Sequence, residues 1–188
     1  MIASLTGTVN EIEDKSLVLG VSGVGYRVSV LGSMLAVAKV GQELVVRTYH
    51  HTNDSGQSLY GFATKEDVQV FELLLTVPSV GPRTAMNILD VAPPRTLAQA
   101  VASKDIKLLT KVSGVGRKTA ERILVELKEK FKDTPITGVV ADVGEEAISV
   151  LTNMGYTKSQ AQEVLQKLPD NIDTVEEAVK AVLQNQNG

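Results

Sequence analysis

The chain has 188 residues, no cysteine, a hydrophobic fraction of 43% and a formal net charge of -3. The missing thiols exclude disulfides, thiolate metal sites and cysteine nucleophiles, and fit a reducing compartment. No apolar run reaches the roughly 18 residues a membrane span needs, and Met1-Ile2-Ala3-Ser4-Leu5-Thr6-Gly7 is not a basic segment leading into an apolar one, so a soluble cytoplasmic protein without a signal peptide is expected.

Residues 1–63 read as β. Segments 5–12, 16–21, 26–31 and 43–49 are rich in Val, Leu, Ile, Thr and Tyr, and several alternate in character, as in Tyr26-Arg27-Val28-Ser29-Val30. Glu13-Asp14-Lys15, Ser22-Gly23-Val24-Gly25 and Val40-Gly41-Gln42 supply the turns. A fifth strand, 58–62, closes the region. Five short strands predict a small barrel of OB type, which removes its own sheet edges. A polar loop, His51-Thr52-Asn53-Asp54-Ser55-Gly56-Gln57, precedes the last strand. His50 and His51 are the only histidines; as strand neighbours they face opposite sides, so they do not share a metal.

From Thr64 the period becomes helical. Thr64 caps a helix with acids in its first turn, and Val68, Phe71, Leu74 and Leu75 follow at helical spacing until Pro78. Further helices are expected over 84–89, over 96–102 with Thr96 as cap, over 105–109, and over 118–131, where Ile123, Leu124 and Leu127 share a face. Residues 133–144, with Pro135 and Gly138, read as a linker. Three short helices follow in 145–188: one to Asn153, one over 158–168 capped by Thr157, and one capped by Asp173 or Thr174. Met154-Gly155-Tyr156 forms the first turn between them. The fold class expected is therefore α+β and multidomain: an OB-like β-barrel (1–63), an all-α middle (64–132), a linker (133–144) and a three-helix bundle (145–188).

The middle contains one pattern twice. Val77-Pro78-Ser79-Val80-Gly81-Pro82-Arg83-Thr84-Ala85 returns 35 residues later as Val112-Ser113-Gly114-Val115-Gly116-Arg117-Lys118-Thr119-Ala120. Each reads as a helix-hairpin-helix element, and the two together form a tandem. Glycine lets the backbone approach a ligand, and the helix behind it offers unpaired N–H groups and the positive end of its dipole. Together these make a phosphate site. Arg83, Arg117 and Lys118 add charge, Thr84 and Thr119 add hydroxyls, and Val80 and Val115 plug the hairpin tips into the core. Such a site reads backbone and not bases.

The charge distribution agrees. Residues 64–132 carry twelve bases and eight acids, whereas 133–188 carry three bases and nine acids. A basic middle suits an anionic ligand, and an acidic tail suits a protein partner. Gly116-Arg117-Lys118-Thr119 is not a nucleotide-binding loop, because Arg117 separates the glycine from the lysine. No catalytic set appears, and no cofactor is expected. The alternatives weighed are a helix-hairpin-helix repair enzyme, a nuclease or glycosylase, which would need an acid cluster or base pocket, and a protein-interaction scaffold without DNA affinity.

With Leu59-Tyr60-Gly61-Phe62 closing the barrel, the two hairpins, Thr119-Ala120-Glu121-Arg122 behind the second, and the Met154-Gly155-Tyr156 module, the whole chain resembles the RuvA family, the Holliday-junction-binding subunits of the bacterial RuvAB branch-migration complex. The resemblance implies a homotetramer or octamer that holds four-way DNA junctions open in homologous recombination and repair, with the barrel at its centre. It implies RuvB, a hexameric ATPase, and the resolvase RuvC as partners, ATP hydrolysis residing in RuvB. It places DNA contacts at Ser79, Val80, Gly81, Arg83 and Thr84, at Ser113, Gly114, Val115, Gly116, Arg117 and Lys118, and at Arg122. The C-terminal module resembles ubiquitin-associated three-helix bundles, which makes Met154, Gly155 and Tyr156 candidates for the RuvB contact. One departure stands out. The family pattern has two adjacent acids in the loop before Leu-Tyr-Gly-Phe, forming an acidic pin at the junction centre. Here only Asp54 matches and Ser55 replaces the second, which halves the central charge.

Overall fold

Apolar residues two apart on successive strands point to one side, and the sheet wraps round them. In the computed structural model, β1 (Ser4–Ile12), β2 (Ser16–Val21), β3 (Val24–Val30), β4 (Glu43–Asn53) and β5 (Gly56–Phe62) close into a barrel in the order β1-β2-β3-β5-β4. The alternate residues Leu5 and Val9, Leu17 and Leu19, and Val28 and Val30 meet Val46 in its interior. All pairings are antiparallel except β3 with β5. Gly61 is fixed by that interior: a Cβ there would lie 2.6 Å from both Val28 Cγ1 and Val46 Cγ1. The structure describes residues 1–54, 56–133, 143–166 and 179–183. It divides into two units, Met1–Ile136 and Thr137–Gly188.

Some element bounds differ from the sequence expectation, with β3 beginning at Val24, read as turn, and a helix beginning at Val143, read as linker; three further features differ in kind. A six-residue helix, α1 (Gly32–Val37), joins β3 to β4. Met34 and Leu35 pack against the barrel core from this helix, but six residues are too few to show a helical period in the sequence. The polar stretch 51–57 is largely strand: the β4–β5 ladder runs on through His51↔Ser58 and Thr52↔Gln57 to Asn53↔Gly56. His50 Nε2 meets Gln57 Oε1 at 3.1 Å, and His51 stacks on Tyr49, so these side chains support the arm that carries Asp54. The third difference concerns Thr96, which lies inside a helix and does not cap it. That helix starts at Pro94, where a missing N–H costs nothing because first-turn N–H groups have no helical partner.

The β1–β2 turn is clasped to β3. Glu13 accepts from Ser16 Oγ and from Arg27 Nε, with Arg27 Nη2 at 2.9 Å. These partners, Ser16 first, hold the Glu13 carboxyl below its ordinary value. Whatever stability this gives is present above the unfolded pKa and is lost as the pH falls through the lowered one.

The rest of the described chain is helical. α2 (Lys65–Leu75) opens on a capping box in which Thr64 accepts from the Asp67 N–H and Asp67 accepts from the Thr64 N–H. It leans on the barrel through Phe71, which is fully buried against Tyr49, Tyr60 and Phe62, with ring centroids 4.9–5.4 Å apart. Phe71→Ala is expected to lower the unfolding free energy by about 3–5 kcal/mol, measured by urea denaturation, because it empties the joint between barrel and helices. A loss near 1 kcal/mol would mean that the joint is held by something else.

α3 (Pro82–Val91), α4 (Pro94–Ser103), α5 (Ile106–Thr110), capped by Asp105, and α6 (Arg117–Asp133) complete the first unit. Ile123, Leu124 and Leu127 of α6 are buried together as their spacing predicts. In the second unit, α7 (Val143–Asn153) and α8 (Lys158–Gln166) pack with the helical residues 179–183 around Leu151, Ala161 and Val182. Thr157 and Gln160 form a reciprocal cap at the start of α8. The expected cap at Asp173 or Thr174 lies outside the described residues, as do residues 134–142 of the expected linker and Ser55 of the pin loop.

The candidate nucleic-acid interface

The two hairpins have the same backbone. Val77 and Val112 are buried, and the N–H groups of Val80 and Val115 return to their carbonyls at 3.0 and 3.1 Å. Val80 and Val115 are each only 5% exposed, which anchors both turn tips in the core as expected. Gly81 caps α3 and Gly116 precedes α6; their carbonyls accept from Ala85 and Ala120, each at 2.9 Å. Gly81 has ordinary extended dihedrals (φ -94°, ψ 175°), and a Cβ at either glycine would meet nothing within 4 Å. Neither the backbone nor the packing of the chain therefore requires glycine at these positions. What glycine leaves there is open space over helix N–H groups that have no partner within the helix.

Around each opening stand exposed cations at corresponding positions, Arg83 in the first copy and Lys118 in the second. The second copy adds Arg117 and Arg122, both exposed, whereas the first has Pro82 and Asn87 in their places. The second hairpin is thus the more basic. Arg117 Nε lies 3.0 Å from Glu121 Oε1 one turn along, an exposed i,i+4 pair of the kind that contributes little. Arg117 can therefore turn to an anion at small expense. Thr84 and Thr119 are half-buried beside the openings, and Ser79 and Ser113 are exposed in the turns.

The turns hold one difference with a consequence for stability. Ser79 and Gly114 occupy the same step of the repeat, and both are left-handed, at φ 74° and 88°. Glycine adopts that region freely, whereas a serine is strained there. Ser79→Gly is expected to raise stability by about 0.5 kcal/mol and Gly114→Ser to lower it by about 1 kcal/mol, read from thermal midpoints. Midpoints moving the other way would contradict the repeat geometry.

Two contacts tie the interface to its surroundings, and sequence reasoning missed both. Asn87 Nδ2 of α3 donates to the Ser113 carbonyl in the second hairpin at 3.3 Å. Asp90, also on α3, accepts from the Gly32 N–H of the barrel at 2.7 Å. Asp90 did carry a signal: an acid in the last turn of a helix opposes the helix dipole and so invites a partner elsewhere.

The other candidate residues belong to other elements of the chain. Asp54 is exposed and follows Asn53, the last ladder residue of β4. In the C-terminal unit the Met154-Gly155-Tyr156 turn divides by role. Gly155 is left-handed at φ 103°, its N–H returns to Thr152, and that of Tyr156 returns to Leu151. This is a Schellman closure with Tyr156 packed back on the core of the unit. Met154, half exposed at 51%, is left on the surface. Among the described residues, no three His, Cys, Asp or Glu side chains gather as a metal site would require, and no helix is long and apolar enough to cross a membrane.

An OB-type barrel carrying twin helix-hairpin-helix openings, each with an exposed cation beside it, defines the architecture of a nucleic-acid-binding protein. Family models match along the chain: the RuvA N terminal domain over residues 1–61, the SAM-like Helix-hairpin-helix tandem over 71–129, and the RuvA C-terminal domain over 142–185. Among curated relatives, the Holliday junction branch migration complex subunit RuvA of Acetivibrio thermocellus is 34% identical, and that of Herpetosiphon aurantiacus 37%, each with 98% of both chains covered. The same subunit of Thermus thermophilus is 40% identical over 88% of this chain and 87% of its own. The chain belongs to the RuvA family.

Proposed function

We propose that this chain is the non-catalytic, junction-binding subunit of a branch-migration complex. It binds four-way DNA junctions without regard to sequence and presents them to the RuvB ATPase, which supplies the ATP hydrolysis. The observation that carries this reading is the pair of equivalent openings at Gly81 and Gly116, each over a helix N-terminus and each flanked by a cation. Two phosphates on one DNA arm suit two such sites on one subunit.

The finer parts of the reading follow from the family. The hairpin residues from Ser79 to Thr84 and from Ser113 to Lys118, with Arg122, hold the arms. A homotetramer, or an octamer of two tetramers, brings the barrels together at the junction centre, where Asp54 on its β-arm repels phosphates. The acidic C-terminal unit recruits RuvB through a surface that includes Met154, while Gly155 and Tyr156 hold its shape. RuvC is a further partner, and the setting is the cytoplasm.

The test is a gel-shift comparison of a synthetic four-way junction with a linear duplex of equal arm length at moderate salt. Preference for the junction is expected; equal affinity would overturn the reading. Incubating the same junction with magnesium or manganese should leave it uncut, whereas cleavage would favour a nuclease.

A further inference from the structure

Two specific contacts tie the helical part of the first unit to the barrel. One is the aromatic joint around Phe71 on α2. The other is the 2.7 Å bond from the Gly32 N–H to Asp90 on α3, across 58 residues of sequence. Beside that bond lies a cleft of about 410 Å³ between α3 and the barrel, lined in part by Lys15, Ser29, Tyr60 and Arg83. Close packing therefore does not fill the space between α3 and the barrel, and the stronger helix contacts with the strands are those of α2. The Asp90 bond joins α3 to the barrel beside that space. Arg83, Asn87 and Asp90 all line the cleft from α3, at steps of four and three residues that place them on one face. Along that face α3 carries the cation of the first hairpin, the tie to the second hairpin at Ser113 and the tie to the barrel.

We propose that Asp90 is a positioning residue that sets the angle of both hairpins to the barrel and thereby confers selectivity for branched over linear DNA. The inference rests on the junction-binding reading above. A linear duplex needs only the hairpins of a subunit, whose spacing Asn87 keeps. A junction needs the hairpins of several subunits at a fixed disposition around joined barrels. Loosening α3 from the barrel adds an ordering cost to the second task and none to the first.

The experiment measures junction and duplex affinities of the full chain at one fixed salt. Asp90→Ala is expected to lower junction affinity about tenfold, the scale of a lost charge-assisted hydrogen bond, with duplex affinity unchanged within roughly twofold. Asp90→Asn keeps an oxygen that accepts from Gly32 and should restore the wild-type ratio. Gly32→Pro removes the donor instead. Gly32 is the first residue of α1, a position proline favours, and Leu31 before it is extended (φ -68°, ψ 150°), as a residue preceding proline must be. It should reproduce the loss, and the double variant Asp90→Ala/Gly32→Pro should add nothing to either single one. If Asp90→Ala melts below the working temperature, Gly32→Pro carries the same test. A wild-type preference that survives both substitutions, a loss with Asp90→Asn as large as with Asp90→Ala, or a parallel fall in duplex affinity overturns the inference alone. Wild-type protein with no preference overturns the reading beneath it as well.

Discussion

Gly116→Asp should abolish junction binding while leaving the thermal midpoint unchanged or slightly raised. The two effects separate because of what glycine does at this position. A Cβ at Gly116 meets nothing within 4 Å, so the substitution fits the free protein. The residue stands immediately before α6, and its carbonyl accepts from the Ala120 N–H, which makes it the helix cap. Aspartate is a better cap than glycine by a few tenths of a kcal/mol. The same carboxylate would occupy the opening meant for a phosphate. Two unit charges about 4 Å apart near a protein surface repel by about 4 kcal/mol, so the loss of affinity should reach at least about 100-fold. Gly116→Asn adds similar bulk without charge and should lose much less. A variant that melts early would show that glycine serves the fold there; one that binds normally would remove the hairpin from the interface.

Raising salt from 50 to 200 mM should weaken junction binding by about four orders of magnitude. In the tetramer proposed above, two openings in each subunit would give about eight phosphate contacts, and each releases close to one counterion, so the logarithm of affinity should fall against log salt with a slope of roughly -7. The contrast with net charge makes the prediction informative. The whole chain is acidic at -3, and a protein held by its overall charge would not bind DNA at any salt. Only the local cluster of Arg83, Arg117, Lys118 and Arg122 predicts tight binding that salt removes. Fluorescence anisotropy across a salt series measures the slope, and a value near -2 would mean that only one hairpin pair engages.

These expectations draw on parts of the chain that are legible to very different degrees. The hairpins can be read from the sequence alone, because everything that makes one lies within nine residues. The buried valines, the turn and the cation that follows it are local, and their recurrence after 35 residues marks them as a unit. The Thr64 cap, the Asp105 cap and the buried face of α6 are legible for the same reason. The barrel is visible through its alternating strands, but the length of the β4–β5 arm is not. His51, Thr52 and Gln57 are polar residues that read as loop, and only their pairing across the ladder makes them strand. Thr96 misleads because a threonine ahead of an apolar run resembles a cap, while the prolines before it have already begun the helix.

By itself the sequence determined that the chain carries a barrel, two helix-hairpin-helix elements and an acidic helical module, and that its basic residues gather where the hairpins are. Propensity, capping and periodicity act over a few residues, and a short window holds them whole. The tertiary structure alone decided how the hairpins are mounted. The Asn87–Ser113 and Asp90–Gly32 bonds span 26 and 58 residues, and Gly61 is small because Val28 and Val46 converge on it from two other strands. No window of sequence contains both ends of such contacts. They exist only once the barrel has closed and α2 has docked on it through Phe71, so the orientation of the interface is a property of packing.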